Sequence, residues 1–386
     1  MKNIQLLNKI AKVGTDMLDP KEYLCADNVE NPDGILVRSA VMHDMVFGDK
    51  LLAVARAGAG VNNIPIDKCS EQGIVVFNTP GANANGVKEL AVCALMLASR
   101  KIVAGVEWAE SLAGTEGVAK AVEAEKSKFA GVEILGKTLG VIGLGAIGGM
   151  VANTALDLGM KVIGCDPFLS VDAAWKIDHH VAKAPAFDDI YAAADYITLH
   201  VPATKETKGM INKDTIAKMK DGVRILNLAR ADLVDADAIK EALASGKVAA
   251  YVTDFPTDEL VGTPGAVTIP HLGASTEEAE DNCAVMAAKE LDDYLRYGNI
   301  KNSVNFPNVA MPLSGDARIC LLHANIPAVL SKITADLSAL GVNIENMINQ
   351  SKGQNAYTVI DVTGEIPEAT LASLRAIEGI SRVRLI

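Results

Sequence analysis

The chain has 386 residues, enough for two or three domains with their own cores, and at 49% apolar and 22% charged residues its composition is globular. A net charge of −12 argues against a nucleic-acid partner, though local basic pockets stay open to it. The longest apolar run, ELAVCALMLASRKIV, is too short to span a bilayer, no leader-like apolar core opens the chain, and the six cysteines (25, 69, 93, 165, 283, 320) are scattered without a C-x-x-C pair. These features predict a soluble, cytoplasmic protein with reduced, mostly buried thiols and no metal site.

In chain order, IQLLN, GILVRS, LLAVARAG and IVVFNTP read as strands, with segments such as IPIDKCSEQG as helices between them. Alternation at this spacing predicts a parallel sheet flanked by helices over residues 1–86. NANGVKELAVCALMLASRK reads as a long helix with Asn residues ahead of it as caps, and residues 105–133 as helix and surface connection. A second α/β run follows from Lys137, with strands KTLGVIG, MKVIGCD, YITLHVP, GVRILNLA, KVAAYVTD and AVTIP. Residues 301–315, within NIKNSVNFPNVAMPLSG, have the composition of a linker. Residues 316–386 then read βαββαβ, a ferredoxin-like order, with Val329, Ile333, Leu337 and Leu340 on one helical face.

One motif passes its context tests. Gly143-x-Gly145-x-x-Gly148 follows a strand directly and opens a helix, with Ala146 and Ile147 in the first turn. The first glycine permits the turn, the second lets a pyrophosphate approach the backbone, and the third lets the helix pack on the strand. The helix N-terminus adds partial positive charge for phosphates. Asp166 ends the next strand, where a carboxylate accepts ribose hydroxyls and repels a 2′-phosphate, so NAD is the expected cofactor.

Taken in order, RAGAGVNNI, VIGLGAIG, CDP, LHVP, NLAR and IPHLGAST resemble the D-2-hydroxyacid dehydrogenases, and the βαββαβ tail, with HANIPAVL and LGVNIEN, resembles an ACT regulatory domain. The likeness covers essentially the whole chain. It implies a Rossmann dinucleotide-binding domain (87–270) inserted in a discontinuous flavodoxin-like substrate domain (1–86 and 271–300), then a ferredoxin-like ACT domain (316–386). It also implies hydride exchange between NAD and C2 of a 2-hydroxy acid. That chemistry needs an arginine to hold the substrate carboxylate, an acid/base, and a carboxylate behind that base if it is histidine.

By this resemblance Arg230 is the substrate arginine and His271 the acid/base, although Ala231 stands where the family usually has glycine. The supporting carboxylate is Glu259 by the interval from Arg230, or Asp258 by the Pro-Thr pair, with Glu259 preferred. Ser275-x-x-Glu278 fits a capping box presenting the His271 loop. Asp254 is the expected partner of the nicotinamide amide. His200, Val201, Pro202, Thr207, Ala229 and Gly273 complete the expected cofactor wall. His43, His179 and His180 read as exposed.

The implied substrate is 3-phosphoglycerate, an anion with a carboxylate and a phosphate. Arg38, Ser39 and Arg56 are expected at the phosphate, and the Gly58, Ala59, Gly60 backbone at the carboxylate. Lys88 reads equally as a substrate contact and as a solvated surface residue. In the tail, His323, Asn325 and Asn343 fall where family members bind L-serine, and the ACT domain implies a homodimer or homotetramer. Two other readings stand beside this one: a dehydrogenase of another 2-hydroxy acid, and a non-catalytic NAD-binding regulator.

Overall fold

The computed structural model describes residues 1–339 and 341–386, so Leu340, expected on the apolar helical face, lies outside the described residues. The chain forms two compact units, 1–83 with 277–386, and 84–276. The divisions fall just before the two long helices, Ala84–Ser99 and Glu277–Tyr297, rather than at 86/87 and 270/271.

The first unit holds two sheets. The first consists of β1 (Lys2–Leu7), β2 (Tyr23–Ala26), β3 (Gly34–Val37), β4 (Ala53–Arg56) and β5 (Val75–Phe77), ordered β2-β1-β3-β4-β5 and parallel throughout. This is the flavodoxin-like order. β3, β4 and β5 are almost wholly buried, so they read as continuous apolar runs rather than alternating ones. The Glu277–Tyr297 helix covers one face with Ala287, Ala288, Leu291 and Tyr294.

The second unit is built on β6 (Thr138–Ile142), β7 (Lys161–Cys165), β8 (Ala182–Lys183), β9 (Tyr196–Leu199), β10 (Val223–Asn227), β11 (Val248–Thr253) and β12 (Ala266–Thr268). Their order is β12-β11-β10-β9-β6-β7-β8, all parallel. The chain crosses from β8 back to β9, beside β6, so the winding reverses between β6 and β9. That is the switch point at which open α/β sheets bind ligands. Over 105–133 the chain forms the rest of the helix Ile102–Glu110, the helix Val118–Glu125 and the short 3₁₀ turn Lys126–Phe129.

The tail adds β13 (Ala317–Ala324), β14 (Asn343–Lys352), β15 (Asn355–Thr363) and β16 (Ile380–Leu385) in the antiparallel order β14-β15-β13-β16, with helices Val329–Ala339 and Glu368–Ala376. This is the ferredoxin-like sheet. Both faces of its inner strands are covered. Ile319 and Leu321 pack against Val329, Ile333, Leu337 and Leu374, while Cys320, Leu322, Tyr357 and Val359 join the core of the first sheet.

Residues 301–315 are therefore no free linker. Phe306, Val309 and Met311 are buried, and Asn305 accepts from the Val76 N–H (2.9 Å) and donates to the Ile74 carbonyl (2.9 Å). The polar composition that reads as a linker is the set of hydrogen-bonding groups that seals the edge of β5.

Candidate active site

The register of the second sheet aligns six strand ends: Cys165, Ile142, Leu199, Asn227, Thr253 and Thr268. Gly143, Asp166, His200, Arg230, Asp254 and His271 each follow one of these ends within three residues. The expected cofactor and catalytic residues thus share one edge of one sheet because their strands are in register.

The three loop glycines have different physical reasons. Gly143 has φ +89°, and a Cβ there would lie 2.6 Å from the His200 carbonyl oxygen. A Cβ on Gly148 would sit 1.9 Å from the Gly143 oxygen, so only glycine allows this helix to close on its strand. A Cβ on Gly145 would meet nothing within 4 Å, and Gly145, Ala146 and Ile147 open the helix Ala146–Asp157. The loop is tied down on one side and open on the other, as a phosphate cradle must be. Asp166 Oδ2 accepts from the Leu144 N–H (2.9 Å) and Oδ1 from the Phe168 N–H (2.9 Å), placing its carboxylate beside the loop.

His200 follows β9 with Nε2 on the Thr198 hydroxyl (2.9 Å), and burial pulls its pKa down to about 4. A neutral imidazole there is a wall. Val201 and Pro202 follow it, and the Thr207 hydroxyl donates to the Pro202 carbonyl (2.6 Å), tying that loop.

Arg230 is exposed, and its Nη1 donates to the carbonyl of Ala229 (2.6 Å). Its loop is fixed by Asn227, fully buried, which donates to the Arg230 carbonyl (2.8 Å) and accepts from the Ala229 and Arg230 N–H groups (3.3 and 3.4 Å). Asp254 is 1% exposed. Its Oδ2 accepts from the Gly273 N–H (3.2 Å), and its buried Oδ1 has no partner. Burial raises its pKa above the usual carboxylate value, while the Gly273 bond and the charges of His271 and Arg230 pull the other way. A buried acceptor without a donor is unfavourable by itself and suits a ligand that brings N–H groups, as a carboxamide does.

The His271 ring is exposed and leans on Phe255, with centroids 4.6 Å apart. The structure does not bring the expected carboxylate to it. Glu259 is exposed, its pKa held below the usual value by its own backbone N–H and the Thr257 hydroxyl, and neither Glu259 nor Asp258 bonds to the His271 ring among the described residues. The capping box also differs: the helix begins at Glu277, and the Ser275 hydroxyl donates instead to the His271 carbonyl (3.5 Å). Lys88 lies on the helix Ala84–Ser99, 19% exposed, with Glu89 3.7 Å away. This is not a freely solvated lysine.

In the first unit the same logic operates. The register pairs Leu7, Val37 and Arg56 at the strand ends. Arg56 is half-buried and its Nε donates to the Arg38 carbonyl (3.0 Å); burial, aided by the Arg38 charge, draws its pKa below the usual value. Arg38 pairs with Glu280. The Ser39 N–H donates to Asn8 Oδ1 (3.0 Å), from a residue at φ +71° just after β1. Nη1 of Arg56 lies 2.8 Å from where a Gly58 Cβ would be, so the guanidinium sits directly against the 58–60 loop. The Ala59 and Gly60 N–H groups make no bond among the described residues.

In the tail, the His323 ring is 4% exposed, with Nδ1 on the Ala324 carbonyl (2.9 Å) and Nε2 on the Thr358 hydroxyl (2.8 Å). Both nitrogens have partners on strands of the same sheet. Asn325 and Asn343 are exposed, donating to the Gly353 carbonyl (3.1 Å) and to Glu345 (2.7 Å). Elsewhere, exposed Asp178, His179 and His180 offer ligand atoms within 4.8 Å of one another. Asp178 Oδ1 there already accepts from the His180 N–H. No helix among the described residues is long and apolar enough to cross a membrane.

Asn8, Asn227 and Phe255 are missing from the reading of the sequence. Their only signal is position, an amide or a ring at a strand end, and nothing in one sequence separates that from a turn residue.

Comparison with known proteins bears on this arrangement. The D-isomer specific 2-hydroxyacid dehydrogenase NAD binding domain matches residues 93–273. The chain is 38% identical to the D-3-phosphoglycerate dehydrogenase of Archaeoglobus fulgidus over 287 residues, 72% of this chain and 52% of that one. For the enzyme of Bacillus subtilis the figures are 37% over 291 residues, 73% and 53%. The chain thus spans about half the length of these two relatives. The D-3-phosphoglycerate dehydrogenase of Escherichia coli K12 is 32% identical over 371 residues, 92% of this chain and 86% of that one. The NAD⁺-bound 3-phosphoglycerate dehydrogenase structure from Entamoeba histolytica superimposes with a TM-score of 0.61 at 27% identity, covering 79% of this chain and 98% of the other. Apo D-mandelate dehydrogenase of Rhodotorula graminis, at 22% identity and TM-score 0.66 over 81% and 99% of the two chains, shares the fold.

Proposed function

Because the chain belongs to the D-2-hydroxyacid dehydrogenase family, with D-3-phosphoglycerate dehydrogenases among its relatives, we propose that it oxidises D-3-phosphoglycerate to 3-phosphohydroxypyruvate with NAD. The observation that carries this reading is the registered row of strand ends, which sets the glycine loop, Asp166, Arg230, Asp254 and His271 along one edge.

NAD would be held by Gly143, Gly145 and Gly148 at the phosphates, Asp166 at the ribose and Asp254 Oδ1 at the carboxamide, and when bound it accepts the hydride. His271 takes the hydroxyl proton as C2 is oxidised, and returns it in the reverse direction. Arg230 holds the carboxylate and polarises the carbonyl. Arg38, Ser39 and Arg56 bind the phosphate, and the Ala59 and Gly60 N–H groups cradle the carboxylate. Glu259 acts on His271 only after its loop moves, since the two make no bond among the described residues. In the tail, Asn325 and Asn343 are the proposed L-serine contacts, and the exposed ten-residue edge strand β14 is the proposed surface for pairing two copies.

Absorbance of NADH, followed with phosphoglycerate and with phosphohydroxypyruvate, with and without L-serine, tests this. Turnover on both substrates is expected; turnover on neither refutes the reading, and indifference to serine removes the regulatory part alone. His271→Ala is expected to lower kcat about a hundredfold or more while NADH binding stays near wild type. Loss of NADH binding instead would make His271 a cofactor contact.

A further inference from the structure

The Ala59 and Gly60 N–H groups are usable by an anion only if their peptide planes are held, and the structure shows what holds them. The Thr79 N–H donates to the Gly58 carbonyl (3.1 Å), and Asn78 Nδ2 donates to the Ala59 carbonyl (2.6 Å). A trans peptide is planar, so its N–H points opposite to its carbonyl. Pinning the carbonyls of 58 and 59 onto the 78–79 segment therefore turns the N–H groups of 59 and 60 away from it.

Asn78 is held in turn. Its N–H donates to the Asn302 carbonyl (3.4 Å). Asn302 adopts φ +59°, and its Nδ2 donates to Glu290 Oε1 (2.6 Å). Glu290 lies on the Glu277–Tyr297 helix, only 7% exposed, and its other oxygen has no partner. A buried carboxyl with one bond is costly at a helix position. Its one bond is to the residue that orders Asn78.

We propose that Glu290 is a positioning residue for the anion nest, acting through Asn302 and Asn78 on the Gly58–Gly60 backbone. This rests on the proposed function only in taking the nest's anion to be the substrate. Burial lifts the Glu290 pKa to about 7, opposed by the Asn302 bond and the Lys301 charge, and the cavity it lines also presents Lys289 and Asp293. Ionised Glu290 accepts more strongly from Asn302 than the protonated acid does, so the clamp tightens as pH rises through that value.

The test uses the full-length protein with Glu290→Gln and Glu290→Ala. Glutamine still accepts from Asn302 but does not titrate. Glu290→Ala is expected to raise KM for phosphoglycerate about fivefold or more with kcat within about twofold, the signature of lost uniform binding. The ratio of wild-type KM to Glu290→Gln KM is expected to fall as pH rises through about 7. NADH binding is expected to be the same in all three proteins. Independently of turnover, hydrogen exchange of the Asn78 and Thr79 amides is expected to quicken about fivefold or more in Glu290→Ala and not in Glu290→Gln. Unchanged KM and unchanged exchange in Glu290→Ala overturn the proposal. If wild-type protein fails to turn over phosphoglycerate, the substrate assignment falls, and the exchange measurement still decides whether Glu290 holds the clamp.

Discussion

Arg230 shows what a single residue contributes and what supports it. Its guanidinium is exposed at a strand end, yet its backbone is fixed by two bonds to buried Asn227, which also accepts from the Ala229 N–H. A planar fork meets a carboxylate through two parallel bonds, which an ammonium cannot copy. Arg230→Lys is therefore expected to lower kcat/KM for phosphoglycerate about a hundredfold, a loss of about 2.7 kcal/mol, with NADH binding unchanged in a fluorescence titration. An equal loss of NADH binding would show that Arg230 serves the cofactor. At this scale the sequence is legible where chemistry restricts the residue type, as for Arg230, Asp254 and His271. It is silent where the job is support. Asn227 and Asn8 hold loops through bonds that depend on tertiary placement.

The glycine loop is the element for which sequence and structure agree most closely, and it separates two kinds of constraint. Gly145 has open space above it and a negative φ of −64°, so Gly145→Ala is expected to leave the melting temperature nearly unchanged. In the proposed cradle the added methyl occupies the phosphate approach, and NADH affinity should fall about tenfold or more. Gly148→Ala must push a methyl against the Gly143 oxygen and is expected to destabilise the fold by about 2 kcal/mol or more, seen as a lowered denaturation midpoint with or without NADH. If Gly145→Ala destabilises and Gly148→Ala does not, the cradle is misassigned. Elements without such a signature are less legible in the sequence. β2 and β8 are a four-residue and a two-residue strand at sheet edges, too short to show a period. The 301–315 segment hides its burial because its few apolar residues, Phe306, Val309 and Met311, show no period, while Asn305 bonds to the backbone beside and within β5.

For the molecule as a whole, fold class and the order of modules follow from alternation and from the βαββαβ tail, but the packing of that tail does not. Besides its apolar face, its sheet is fastened to the Glu277–Tyr297 helix by charged residues that a sequence assigns to the surface. Arg318 and Asp361 are both fully buried, paired through Nε–Oδ1 at 2.6 Å and Nη2–Oδ2 at 2.9 Å. Arg318 also donates to the Tyr297 carbonyl at the end of the long helix (2.7 Å) and to the Pro312 carbonyl (2.9 Å). Arg384 donates to the Tyr294 and Leu295 carbonyls (3.2 and 3.1 Å) and lies over the Tyr294 ring. These bonds satisfy the last carbonyls of the Glu277–Tyr297 helix and complement its dipole. Removing one partner of such a pair leaves a buried charge unmatched, so Asp361→Ala is expected to destabilise the protein by about 3–5 kcal/mol in urea denaturation. The loss should fall on the first unit, leaving NADH binding intact at low denaturant. Burial pushes the Asp361 pKa up, but the bonds from Arg318 and Ser314 outweigh it and hold the carboxyl below its usual value. Its stabilisation is then fully present above the unfolded carboxyl pKa and is lost as pH falls through the lower folded value. The stability gap between wild type and Asp361→Ala should be constant near neutrality and close only in acid. A gap that instead changes around neutral pH would show that another group, not this pair, fastens the tail.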